Sequence, residues 1–181
     1  MHKKTHAFPT EKLVTMALLV ALQVVLGKIV QINLVSKEIN FGFLPVAVAG
    51  ALLGPVAAAV VGALGDLIGS LLFPTGAYFP GFTLTSALVG AAYGLALYHR
   101  KPSWVRAIAS AASGAVINLM LNSLWLSMLY GSKTYWGWVA ARAATYPVEA
   151  AVQAVIMMLA VTALSRVKLP GAIRLYGKDM K

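Results

Sequence analysis

Apolar runs long enough to cross a bilayer follow one another along this chain, and four charged side chains, Lys28, Asp66, Arg142 and Glu149, lie well inside them. A membrane helix takes about 20 consecutive apolar residues. The composition agrees, since 60% of the residues are hydrophobic and 11% charged, far from the balance of a soluble domain. Charge at membrane depth costs roughly 2.5 kcal/mol or more per group, so it faces a cavity or a partner and marks a functional site. The four formal charges sum to zero, which suits a polar pocket for a charged or zwitterionic solute.

Glycine, proline and polar residues divide the apolar sequence. A polar stretch at 33–40 ends the first run, Gly54-Pro55 separates the second from the third, and 74–81 and His99-Arg100-Lys101-Pro102 bound the fourth. The division predicts an all-α membrane protein with six transmembrane helices, at about 12–32, 41–53, 55–73, 81–98, 103–130 and 136–166, in one integral membrane domain, 1–181. The basic start resembles a secretory signal, but no convincing small-residue cleavage site follows, so the first run reads as a span.

Six spans place Lys3, Lys4, Lys12, Arg100, Lys101, Arg106, Arg166, Lys168, Arg174, Lys178 and Lys181 on one side and Lys37 and Lys133 on the other. Eleven against two is a positive-inside signal for both termini cytoplasmic in a multi-pass protein of the cell membrane. Five spans would scatter the basic ends. Because the net charge of +10 sits mainly in tails and a loop, it describes a cytoplasmic membrane face rather than a nucleic-acid site.

This orientation gathers the four charges towards the external side, with Gln31, Asn33, Asn40, Tyr78, Phe79, Tyr135, Trp136 and Trp138 on the same face. The alternative is structural pairing of Lys28 with Asp66 and Arg142 with Glu149, and an interfacial belt of aromatic residues. The outer loops, 33–40 and 74–81, are expected to close over a ligand, with Tyr78 and Phe79 supplying stacking area. Small residues four apart, such as Gly50 and Gly54, Gly65 and Gly69, and Gly90 and Gly94, allow close helix contact. Ala17 and Ala21 have the same spacing on the cytoplasmic half of the first helix, where a docking partner can reach them.

Catalytic chemistry finds little support. The histidines are His2, His6 and His99, in a tail and a loop, so Ser70 has no imidazole to activate it. Ala63 stands where intramembrane aspartyl proteases carry the first glycine of the motif that ends in Gly65-Asp66, and no second membrane aspartate completes a dyad. No glycine-rich phosphate loop appears, and the absence of cysteine removes thiolate chemistry. No metal or cofactor is expected.

The run Phe41-Gly42-Phe43-Leu44-Pro45, then Gly54-Pro55, Gly62, Asp66 and Pro74-Thr75-Gly76-Ala77-Tyr78-Phe79-Pro80-Gly81-Phe82-Thr83-Leu84, with Gly90 and Tyr93-Gly94, resembles the substrate-binding S components of energy-coupling factor (ECF) vitamin transporters. It is most similar to the folate-specific branch, and the pantothenate-specific branch shares much of the central motif. The resemblance covers nearly the whole chain. It implies a subunit without its own ATPase, which binds a vitamin outside, associates with a transmembrane coupling subunit and two ABC-type ATPases, and topples in the membrane to deliver its ligand. It also implies that Ala17 and Ala21, as an Ala-x-x-x-Ala pattern, contact the coupling subunit.

Ligand chemistry bears on the choice of vitamin. A pteridine offers adjacent N–H donors that a carboxylate accepts as a pair, and the glutamate tail of folate offers carboxylates that want cations. Pantothenate needs a cation but neither a carboxylate nor a stacking surface, so two acids and two bases favour folate. Arg142 is expected to meet the tail and Glu149 the pteridine edge, although the residues leave open which acid does so. The candidate binding set is Lys28, Gln31, Asp66, Tyr78, Phe79 and Phe82, with Thr83, Trp138, Arg142, Tyr146 and Glu149. A pantothenate-specific S component and a stand-alone solute carrier are the alternatives.

Overall fold

Helix breakers set the element order of the computed structural model, which describes residues 10–34, 37–74, 76, 78–131 and 133–166, with backbone only for 31–34 and 37–40. Helix α1, Thr10–Val24, widens into a single π-helical segment, Val25–Ile29. Strands β1, Gln31–Leu34, and β2, Lys37–Asn40, pair antiparallel with Gln31 opposite Asn40. Helices α2, Phe43–Leu53, and α3, Pro55–Leu72, follow. Next come α4, Pro80–Leu97, and α5, Trp104–Tyr130. Two further helices, α6, Tyr135–Ala143, and α7, Tyr146–Arg166, complete the order.

Two parts differ from the sequence-based expectation. In the polar region expected as a loop, Gln31–Leu34 pairs with Lys37–Asn40, because Gln-Ile-Asn-Leu alternates polar and apolar residues with the period of a strand. The last helix, expected unbroken over 136–166, is two helices. Pro147 has no N–H for the Ala143 carbonyl and its ring crowds that carbonyl, so the helical ladder stops. Thr145 caps the break, donating from both its amide and its hydroxyl to the Arg142 carbonyl, at 3.1 and 2.9 Å, and α7 restarts with Glu149 N–H donating to the Thr145 carbonyl at 3.2 Å.

Among the described residues, five helical segments are long and apolar enough to cross a membrane: Thr10–Ile29, Pro55–Leu72, Pro80–Leu97, Trp104–Tyr130 and Tyr146–Arg166. The shorter α2 rises only about 16 Å, yet it is among the most enclosed elements, with Pro45, Val46, Ala47, Ala49, Gly50, Ala51 and Leu52 all buried. It is packed by α1, α3, α4 and α7. The outer surfaces are apolar instead of polar: Val105 is 75% exposed, Leu95 70% and Val148 68%. Surfaces of this kind fit a lipid solvent.

Small residues bring the central helices together. A Cβ on Gly90 would strike the Ala58 carbonyl oxygen, one on Gly94 would strike Pro55, and one on Gly62 would meet the Ser86 carbonyl oxygen, so α3 and α4 run in backbone contact. Gly54, at φ +93°, makes the α2–α3 turn in a region that side chains rarely adopt, and the Tyr98 ring packs against it. The solid core, including Leu19, Val20, Val61, Tyr93, Met157 and Val161, joins α1, α2, α3, α4 and α7 towards this end. Towards the opposite end the helices diverge around a cavity.

Candidate functional site

That cavity has a volume of about 640 Å³, within the range of roughly 300–1,000 Å³ typical of small-molecule sites. All four intramembrane charges line it. Lys28 comes from the π-helical segment of α1, a local widening frequent at functional sites. Its methylene chain lies over Gly69, where a Cβ would stand 3.4 Å from Cγ and Cε, and its charge acts on the Asp66 carboxylate. Asp66, on α3, accepts a hydrogen bond at 2.8 Å from the Thr83 hydroxyl of α4, which also lies 3.1 Å from the Tyr78 hydroxyl.

The broken last helix supplies the other two charges. Arg142 stands in the final turn of α6 and Glu149 in the first turn of α7. Each has the sign that the helix end beside it favours. Discontinuous membrane helices present their ends to ligands in the same way. The Arg142 guanidinium lies over the Tyr146 ring at 5.6 Å, while its Nη1 is buried and has no hydrogen-bond partner among the described residues. Glu149 Oε1 accepts from Gln153 Nε2 at 3.1 Å.

Aromatic residues stand where α4 begins. Phe79 packs edge-on against Phe82 at 6.3 Å between centroids and tilted against Trp125 at 5.5 Å. Trp125 is fixed in turn by its indole N–H, which donates to Thr85 at 3.0 Å. Gly81 makes room for both rings, since a Cβ there would meet Trp125 and Phe79. Phe79 and Phe82 therefore present well-positioned faces to the cavity.

Of the expected binding residues, Lys28, Asp66, Tyr78, Phe79, Phe82, Arg142, Tyr146 and Glu149 line this one space. Thr83 is bonded to Asp66 and Tyr78, so it orients lining residues without itself being part of the lining. Trp138 is also absent from the lining; it sits on α6 with Lys133 Nζ 5.2 Å from its ring centroid, and its buried indole N–H has no partner among the described residues. Gln31 lies in β1, and its side chain is outside the described residues, as are Thr75 and Ala77 of the loop expected to cover the ligand. Gly76, from that loop, does line the cavity.

The charge-based reading missed the uncharged polar residues that line the cavity, notably Gln23, Ser86, Asn118, Asn122 and Gln153. Their signal was present, because carboxamides are also out of place in apolar runs and Asn118 and Asn122 share one helix face. Ala17 and Ala21 are both exposed on α1, beside Leu18 at 66% exposure.

These features define a helical membrane protein hollowed at one end into a charge-lined cavity. The chain belongs to the family "ECF transporter, substrate-specific component", whose pattern matches residues 11–167. The family is one of substrate-binding subunits, not of enzymes. Among similar proteins is a folate transporter FolT of Clostridium novyi (strain NT), 42% identical over 121 residues, which are 66% of this chain and 70% of that one. Another is a folate transporter FolT of Leuconostoc mesenteroides subsp. mesenteroides, 35% identical over 140 residues, 74% of each chain. The crystal structure of FolT bound with folic acid superposes with a TM-score of 0.76 at 32% identity, over 95% of this chain and 100% of that one. A biotin S component of an ECF-type ABC transporter shares the fold, with a TM-score of 0.60 at 17% identity over 88% and 93% of the two chains.

Proposed function

We propose that this chain captures folate on the external side of the cell membrane and hands it over in complex with a transmembrane coupling subunit and two ABC-type ATPases. The observation that carries the reading is the cavity itself: one space holds two carboxylates, two cations and an aromatic wall. Folate carries the counterparts, N–H donors on a pteridine, a flat ring to stack, and a carboxylate tail. Arg142, with a buried Nη1 that lacks a partner, takes a tail carboxylate. A carboxylate of Asp66 or Glu149 takes the pteridine edge, and Phe79, Phe82 and Tyr146 supply apolar area. The resemblance to proteins named folate transporters supports the same ligand.

Six spans, counting α2 as the short second one, put both termini in the cytoplasm. The eleven-to-two distribution of basic residues supports this orientation. So does the meeting of the segment after α4, with Arg100 and Lys101, with Met158 and Val161 on the later part of α7. Ala17 and Ala21 then belong to the docking surface for the coupling subunit, because both are exposed and small.

Binding of radiolabelled folate to the purified chain tests the ligand. Saturable binding that unlabelled folate displaces and pantothenate does not is the expected result, and the reverse pattern reassigns the vitamin. The chain has no cysteine, so single replacements Lys37→Cys and Lys101→Cys test orientation. An impermeant maleimide applied to intact cells should label the first and spare the second.

A further inference from the structure

Two carboxamides stand one helical turn apart on the cavity wall contributed by α5, and their hydrogen bonds have a fixed direction. Asn118 Nδ2 donates to the Gly114 carbonyl at 2.9 Å, and Asn122 Nδ2 donates to Asn118 Oδ1 at 3.1 Å. A backbone carbonyl only accepts, so Asn118 must offer it the amide nitrogen; Asn118 then turns its oxygen to Asn122, which must also answer with nitrogen. The relay ends on Asn122 Oδ1, which is buried and has no partner among the described residues. A buried acceptor left without a donor is unfavourable, and among the described residues no donor relieves it.

The remaining polar wall is equally rich in acceptors. The Tyr93 hydroxyl donates to Gln153 Oε1 at 3.4 Å and Gln153 Nε2 donates to Glu149 Oε1, so this second relay ends on a carboxylate. Gln23 Nε2 donates to the Gly62 carbonyl at 3.3 Å, and its Oε1 is buried without a partner among the described residues. A heteroaromatic ring bearing N–H groups would find several acceptors here. Asn122 also stands eight residues before Tyr130, the cavity-lining residue at the end of α5. That separation is about 12 Å along the helix, deep enough to leave the tail nearer the loops.

We propose that Asn122 is a specificity-determining residue that reads the ring end of the ligand, its Oδ1 accepting an N–H from the 2-amino-4-oxo edge of the pteridine. Asn118 is a positioning residue that holds the carboxamide in the accepting orientation. Asn118 holds this orientation in the ligand-free chain, and because the terminal amide torsion of asparagine is broad, a modest turn brings Oδ1 to a bound ring. The assignment rests on the folate reading and adds to it a residue that carries no charge.

The test uses the full chain in detergent and two halves of the ligand, pterin-6-carboxylate and p-aminobenzoyl-glutamate, beside folate itself. In Asn122→Leu and in Asn122→Ala, dissociation constants for folate and pterin-6-carboxylate should rise by at least about tenfold. That for p-aminobenzoyl-glutamate should stay unchanged, and its retained binding shows that the variants fold. Asn118→Leu should give the same split at smaller size. Equal losses for both halves, or no loss for either, overturn the role of Asn122. A wild-type chain that binds no folate overturns the functional reading and this assignment with it, whereas folate binding by the wild type with indifferent Asn122 variants overturns this assignment alone.

Discussion

Replacing Arg142 by alanine should separate ligand affinity from the stability of the empty protein. Without ligand the guanidinium lies over the Tyr146 ring, and among the described residues nothing accepts from its buried Nη1. Its removal forfeits a cation–π contact of about 0.5–2 kcal/mol and also relieves an unsatisfied donor, itself unfavourable by about 1–3 kcal/mol. The two effects oppose, so the melting temperature of the ligand-free protein should move little or rise slightly. Bound folate changes the balance, because a desolvated tail carboxylate would then lack its cation. Truncating one member of such a pair costs about 2–5 kcal/mol, a rise in Kd of roughly 30- to 4,000-fold. Calorimetric titration with folate and thermal denaturation without it measure both quantities on one sample. An Arg142→Ala protein that melts normally and binds folate with unchanged affinity refutes the argument. Arg142→Lys should fall between, since the charge remains but the paired donors of the guanidinium do not.

Thr83→Val keeps the shape of the side chain and removes the hydroxyl that orients Asp66; a hydrogen bond to a charged group contributes about 1.5–3 kcal/mol, so folate affinity in equilibrium titration should drop roughly tenfold or more, and unchanged affinity would place Asp66 outside binding. Gly90→Ala puts a methyl group against the Ala58 carbonyl, and the forced separation of α3 from α4 should lower stability by about 1–3 kcal/mol, visible as a lower melting temperature with folate absent. For Ala17→Trp with Ala21→Trp, both exposed positions, folate binding by the isolated chain should persist while ATP-driven uptake by the reconstituted complex is lost; joint loss of folding and binding would show that the docking surface lies elsewhere.

The amino-acid sequence by itself determined the solvent and the spacing of the helices. Apolar runs leave no other way to satisfy so many backbone groups, and Gly54-Pro55, Pro80 and the segment at His99 punctuate them by local conformational preference alone. It also exposed Lys28, Asp66, Arg142 and Glu149, because charge in an apolar run stands out without any knowledge of its neighbours. Tertiary structure decided what sits beside those charges. Thr83 bonds to Asp66 across two helices, Trp125 fixes Phe79 from α5, and the Asn118–Asn122 relay is meaningful only because it borders the same space as Glu149. The break before α7 lies in the polar stretch from Arg142 to Glu149, where Pro147 is a local signal that the length of the surrounding apolar run outweighed. Pro147 and Thr145 together stop the helix, and only the folded chain shows that the interruption brings Arg142 and Glu149 to one cavity. Hydropathy reports the medium that a residue occupies and periodicity reports a face. Neither records which distant face will lie opposite, and that pairing depends on side-chain volumes and backbone approach summed over the whole bundle, such as Gly90 against Ala58.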